Sequence, residues 1–110
     1  MEPMRARLVA DLAEVDGVTW AALIDPDGFT LERRPSSMTA STVENVAAMW
    51  LALPEVLENT QRVTIRGSAG WLVGTALSGG RWLLLEASQS ANIGAIRRAL
   101  DEVGPRIGPL

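Results

Sequence analysis

The sequence predicts an α+β sandwich: one five-stranded antiparallel sheet of strand order 2-1-5-4-3, with helices on both faces. Three observations carry this. Segments with helical apolar spacing stand at the start, middle and end of the chain. Five short segments between them have the runs or alternation of strands. Two of those strands alternate, as edges do, while three are apolar throughout, as interior strands are. Strands 1–2 form one hairpin and strands 3–5 a meander, and both fit a single sheet with the alternating strands outermost. The amphipathic terminal helices then share one face and the central helix takes the other.

Met4 to Val15 places Leu8, Val9, Leu12 and Val15 at helical spacing, and Gly17 follows as a C-terminal cap. Val18 to Ile24 is nearly continuous in apolar character, a strand covered on both faces. Asp25-Pro26-Asp27-Gly28 is a turn, since Pro presets one backbone angle and Gly supplies a positive one. Phe29 to Arg33 alternates and completes a hairpin. After a loop from Pro35 to Ala40, a helix runs from Ser41 to Leu53, with Ser41 and Glu44 at capping-box spacing. Pro54 ends or kinks it, with a further turn or two through Glu55, Leu57 and Asn59.

Arg62 to Arg66 alternates strictly, with Val63 and Ile65 inward and both arginines outward, which makes it the second edge strand. Beyond Gly67-Ser68-Ala69-Gly70, Trp71 to Leu77 is again covered on both faces, and Ser78-Gly79-Gly80 turns the chain into Arg81 to Ala87. Ser88 or Ser90 caps a last helix through Ile93, Ile96, Leu100 and Val103, ending near Gly104-Pro105.

The central helix sets the problem that the rest of the chain answers. Val46 to Leu53 is eight apolar residues in a row, with no charged back. It falls short of the ~20 residues that cross a bilayer, so protein must cover it on opposite sides. Its own sheet supplies one cover, and a second copy of the same helix is the simplest other.

Composition narrows the chemistry further. At 110 residues the chain is one domain, 47% hydrophobic and 21% charged, with a net charge of -3. Clustered positive charge for nucleic acid is missing. So are Cys, His, Lys and Tyr, which removes thiol and Schiff-base nucleophiles, a His base, a P-loop Lys and His/Cys zinc sites. The N-terminus carries Glu2, Arg5, Arg7 and Asp11 in place of a signal-peptide core, so the reading is cytoplasmic, without membrane insertion.

The chain resembles the roadblock family, relatives of dynein light chains and of the bacterial gliding-motility GTPase-activating protein, over Leu8 to Leu100. The likeness rests on Val15-Asp16-Gly17-Val18 leading into Ala21-Ala22-Leu23-Ile24-Asp25-Pro26-Asp27-Gly28, on the Ala-rich central helix, and on Ser90-Ala91-Asn92-Ile93-Gly94-Ala95-Ile96-Arg97. It implies a profilin-like fold and a homodimer in which central helices pair antiparallel and third strands join two sheets. The dimer interface then comprises Val43, Val46, Ala47, Met49, Trp50, Leu53, Val63 and Ile65. The family commonly docks a small Ras-like GTPase around the paired helices, which points to Glu44, Ala48, Leu51, Glu55 and Glu58 as partner-binding residues. The chain ends at Leu110 without the C-terminal extension of the gliding-motility relative, which weakens transfer of GTPase activation itself.

Bland readings stand beside the sharp ones. Trp50 is a core or interface tryptophan before it is a partner's anchor, and the glutamates are a solvated rim before they are a docking patch. Arg33, Arg34, Arg62 and Arg66 are arginine-finger candidates, but outward Arg also guards a sheet edge. Asp25-Pro26-Asp27-Gly28 fails as a calcium loop at Phe29, and the Gly-rich turns lack a following helix and a Lys for phosphate. Trp20, Trp71 and Trp82 read as core, or as the wall of a small-molecule pocket. The sequence therefore reads as a non-enzymatic GTPase-binding module needing no cofactor or metal. A profilin-like or PAS-like ligand sensor and a structural adaptor are the alternatives.

Overall fold

The structure, a computed structural model, describes residues 3–52 and 61–110. Its elements run α1 (Met4–Ala13), β1 (Val18–Ile24), β2 (Thr30–Arg34), α2 (Ala40–Leu51), β3 (Arg62–Gly67), β4 (Gly70–Ala76), a 3-10 turn (Ser78–Gly80), β5 (Trp82–Ala87) and α3 (Ile93–Ile107). The strands form one antiparallel sheet in the order β2-β1-β5-β4-β3, as the alternation pattern predicts.

Alternate residues of the interior strands feed two separate layers. Ala21, Leu23, Val73, Leu83, Leu85 and Ala87 pack beneath α1 and α3, against Leu8, Val9, Leu12, Ile96, Leu100 and Ile107. Trp20, Ala22, Ile24, Trp82 and Leu84 lie on the other face, under Val43, Ala47 and Trp50 of α2. No polar or charged residue is buried among the described residues. Each large side chain sealed in this way contributes roughly 1.5–3 kcal/mol.

Gly74, in the middle of β4, sets how closely α2 approaches the sheet. A Cβ there would lie 2.2 Å from Trp50 Cζ2 and 2.8 Å from Leu84 Cδ2. The Trp50 indole takes that space instead and meets Trp82 edge to face, with centroids 5.4 Å apart and planes at 68°.

The β1–β2 hairpin closes as its turn residues require. Asp25 C=O accepts from Gly28 N–H at 3.0 Å, and Asp25 Oδ1 accepts from the N–H groups of Asp27 and Phe29, both at 2.9 Å. In β2, Leu23 pairs with Glu32 while Ile24 pairs with Thr30, so Leu31 is a bulge that packs into the α1 layer.

Several local expectations are corrected. α1 ends at Ala13, and Gly17, with φ of 89°, serves the turn beyond it: a Cβ there would meet Ala91 Cβ at 2.6 Å. No Ser41–Glu44 capping box forms, because α2 begins one residue earlier with Thr39 as its N-cap. There the hydroxyls bond one another, with Thr39 Oγ1 2.9 Å from Thr42 Oγ1. α3 is capped by Asn92, whose Oδ1 accepts from Ala95 N–H at 3.1 Å, rather than by Ser88 or Ser90. It also continues through Pro105 to Ile107. Proline costs the Asp101 carbonyl its helical partner, but Val103 and Ile107, one turn apart and buried, hold the last turn on the core. The expected end of the central helix at Leu53, the Pro54 break and the turn through Glu55, Leu57 and Asn59 lie outside the described residues.

Candidate functional site

α2 divides into three strips. Val43, Ala47 and Trp50, at i, i+4 and i+7, face the sheet and are fully buried within one protomer. The expectation that these three belong to a dimer interface is therefore corrected: the sheet already covers them and no surface remains for a second copy. Val46, Leu51 and Glu44 flank them half-buried. Asn45, Ala48, Met49 and Ala52 are exposed, Met49 by 54%. The outward face of α2 is thus short and nearly uncharged.

β3 extends this face along the edge of the sheet. Val63 is half-buried against the α2 layer and Ile65 is 36% exposed on the same side. Met49 and Ile65 flank an open groove of about 220 Å³ whose lining includes Trp71, Leu72 and Glu86. Glu86 Oε2 accepts from the Trp20 indole N–H at 3.2 Å, which fixes the carboxylate at that end of the sheet.

The hydrogen bonds also say which backbone groups of β3 are spoken for. Gln61 C=O accepts from Ala76 N–H at 2.8 Å, and Gly67 pairs with Gly70 across the tight turn. Residues 61, 63, 65 and 67 therefore turn their N–H and C=O toward β4, while Arg62, Thr64 and Arg66 turn theirs toward the open edge.

The arginines of β3 lie on the α1/α3 side of the sheet. Arg62 is half-buried: its Nε donates to Thr75 Oγ1 at 2.9 Å and its Nη2 to Asp101 Oδ1 at 2.8 Å. Arg66 is exposed and stacks on half-buried Trp71, with Cζ 5.1 Å from the ring centroid. Of the other finger candidates, Arg33 donates to Met38 C=O at 2.7 Å and Arg34 to Arg33 C=O at 2.8 Å, so both serve the loop after β2. Trp20 and Trp82 are buried in the α2 layer, as core residues should be.

A second concavity, about 500 Å³, opens between the end of β4 and α3, lined in part by Arg62, Thr75, Leu77, Leu100, Asp101 and Pro105. Among the described residues, no group of three His, Cys, Asp or Glu side chains is placed to hold a metal, and no helix is long and apolar enough to cross a membrane. Of the predicted partner-binding residues, Ala48 is exposed and Glu44 and Leu51 are half-buried on α2, whereas Glu55 and Glu58 fall outside the described residues, as does Leu53 of the interface set.

Sequence reasoning missed two features of this site. One is the seat of Trp50, which depends on an absent side chain at Gly74, in another element. The other is the tie from Arg62 to Asp101 on α3. The spacing Val43-Ala47-Trp50 was a usable signal for the first, since it marks a single helical stripe.

No protein-family model matches the sequence, and no curated protein matches it. Comparison with solved structures finds the same fold repeatedly. A Roadblock/LC7 domain from Streptomyces avermitilis superposes with a TM-score of 0.81 at 20% identity, over 96% of this chain and 100% of that one. MglB from Myxococcus xanthus gives 0.79 at 12% identity, over 96% and 92%, and MglC from the same organism gives 0.76 at 19%, over 96% and 98%. Profilin IB from Acanthamoeba castellanii is more distant, at 0.62 and 16% identity, over 94% and 97%. At these identities the likeness is one of fold, and at that level it agrees with the resemblance read from the sequence.

Proposed function

We propose that this chain, folded as a roadblock domain, is a non-enzymatic homodimeric regulatory or scaffold module that binds a small Ras-like GTPase and modulates its nucleotide state. One observation carries the dimer: an exposed Met49 and a partly exposed Ile65 border one groove beside a strand edge that pairs with no other strand among the described residues. A sheet edge flanked by apolar side chains is a template for pairing, and a second copy satisfies both needs at once. The interface in this reading is Val46, Met49, Val63 and Ile65. Self-association is also on record for a protein of the same fold, MglB with a tetrameric arrangement, which superposes with a TM-score of 0.78 at 14% identity.

The GTPase docks on the surface that the paired helices leave open, with Glu44, Ala48 and Leu51 as contacts and Glu55 and Glu58 as further members of the set. Its physical effect is limited to differential affinity: the module shifts a switch-loop equilibrium only as far as it prefers one nucleotide state. The test has two parts. Light scattering on the purified chain should give the mass of a dimer, and Ala48→Arg, with a charge on the outward face, should reduce it or weaken capture of the GTPase. A pull-down from the native source should enrich a Ras-like protein in one nucleotide state; equal recovery with and without nucleotide overturns the regulatory reading and leaves an adaptor.

A second reading, small-molecule sensing, draws on the cleft of about 500 Å³ between β4 and α3. A cleft of that size suits a small ligand. A compound that raises the melting temperature of the wild-type chain, but not of a Gly104→Leu variant whose side chain enters the cleft beside Leu77 and Thr75, would favour it.

A further inference from the structure

We propose that the cleft between β4 and α3 binds a free α-amino acid with an apolar side chain, its ammonium group held on a stripe of α3 carbonyls beside Asp101 and its carboxylate by Arg62. This rests on the small-molecule reading above and gives that cleft its ligand class.

The acceptors come from the spacing of two prolines. In a helix each C=O takes the N–H four residues on, and proline has none to give. Pro105 stands four residues after Asp101, and Pro109 four after Pro105, so two carbonyls on one stripe of α3 lose the donor that would have covered them. Asp101, Pro105 and Pro109 all line the cleft, so this stripe is its helical wall. The fold provides for the carbonyls nearby. Gly104 C=O accepts from Gly108 N–H at 2.9 Å, Ile107 C=O from Leu110 N–H at 2.8 Å, and Gly108 C=O from Ser78 Oγ at 2.8 Å and Arg81 Nη2 at 2.6 Å. Among the described residues, no side chain and no backbone group outside α3 donates to the carbonyl of Asp101 or Pro105. Both lie toward the negative end of the helix dipole, next to an Asp101 side chain that is 67% exposed. A primary ammonium, with three N–H groups on a compact head, matches such a wall of oxygens.

Arg62 supplies the opposite pole. Its Nε donates to Thr75 Oγ1 at 2.9 Å and its Nη2 to Asp101 Oδ1 at 2.8 Å, which fixes the guanidinium plane at the cleft. Nη1 makes no bond among the described residues, so the edge formed by Nη1 and Nη2 is open to a carboxylate. A ligand with a single charge would meet like charge at Asp101 or at Arg62, whereas a zwitterion sets each pole against its opposite. Leu77 and the rings of Pro105 and Pro109 give the apolar wall for a side chain. Gly104 keeps that wall recessed, since a Cβ there would already touch Leu77 Cδ2 and Thr75 Cγ2 at 3.9 Å. The volume of about 500 Å³ admits an amino acid with a branched aliphatic side chain.

The test is isothermal titration calorimetry of the full chain with L-leucine, with its methyl ester, which lacks the carboxylate, and with N-acetyl-L-leucine, which lacks the ammonium group. Leucine should bind roughly tenfold or more tightly than either derivative. Pro105→Ala returns an N–H to the Asp101 carbonyl without altering any charge. It should weaken leucine roughly tenfold while the melting temperature of the free chain holds or rises, a combination that a merely structural proline would not give. Arg62→Gln should weaken leucine by a similar factor and leave the methyl ester unaffected. An ester or N-acetyl derivative that binds as well as leucine, or a Pro105→Ala chain with wild-type affinity, overturns the ligand class. Leucine binding that persists in Gly104→Leu lies elsewhere and overturns the cleft reading as well; absence of heat with all three compounds overturns the amino-acid proposal alone.

Discussion

Adding one methyl group at Gly74 is the sharpest test of how α2 is held. The Cβ of Gly74→Ala would stand 2.2 Å from Trp50 Cζ2 and 2.7 Å from Cη2, where ordinary carbon contacts are about 3.5–4.0 Å. The indole must retreat by roughly 1.5 Å, and Trp82 and Leu84 leave it little room to do so within its pocket. Overpacking of this kind costs about 1–3 kcal/mol. Alanine's own advantage over glycine in a strand, about 0.5–1 kcal/mol, offsets only part of that. A net loss of about 1–1.5 kcal/mol is expected, a fall in Tm of roughly 5–10 °C for a domain of this size. Urea denaturation measures it directly, and a pairing test sharpens it. Trp50→Phe alone should destabilise by leaving a cavity, while Gly74→Ala combined with Trp50→Phe should lose less than the sum by about 1 kcal/mol or more. A Gly74→Ala protein within about 0.5 kcal/mol of wild type, or strictly additive losses, would refute the claim that the two positions share one space.

Three further outcomes follow from the same geometry. On the dimer proposed above, Met49→Glu, which puts a charge on the outward face of α2, should lower the mass by light scattering to that of a monomer while Tm changes little, because the side chain is half exposed in the single protomer. Asn92→Ala removes the N-cap of α3 and should cost about 1 kcal/mol in urea titrations, with Asn92→Ser recovering most of it. Glu86→Leu removes the acceptor of the Trp20 indole N–H and should cost about 1 kcal/mol, whereas Glu86→Gln, which keeps an acceptor, should stay close to wild type.

The strand order was legible because burial on one or two faces leaves a direct trace in the order of residues. Val18–Ile24 and Trp82–Ala87 lie side by side in the sheet's interior, and Thr30–Arg34 and Arg62–Gly67 lie at its edges, as their patterns indicate. Helix termini were less legible, since Thr39, Ser41, Ser88, Ser90 and Asn92 all carry capping groups and only the local backbone selects among them. The continuation of α3 past Pro105 depends on burial of Ile107, a tertiary contact without local signature. The central helix shows the limit best. Its apolar run correctly marks a helix that its own sheet does not cover all round, yet composition alone does not say which strip is roofed by the sheet. That was decided by a gap in β4, a position whose partner is remote in the chain.

The two borders of the sheet are unlike, and this governs where growth stops. At the β2 border the Leu31 bulge breaks the ladder, Arg33 is tethered to Met38 C=O, and Pro35 follows directly with no N–H to offer. An incoming strand finds no straight rail there. If two subunits join through β3, both remaining margins of the ten-stranded sheet are these blunt ones, and assembly by strand addition terminates at two chains instead of running on into a fibre.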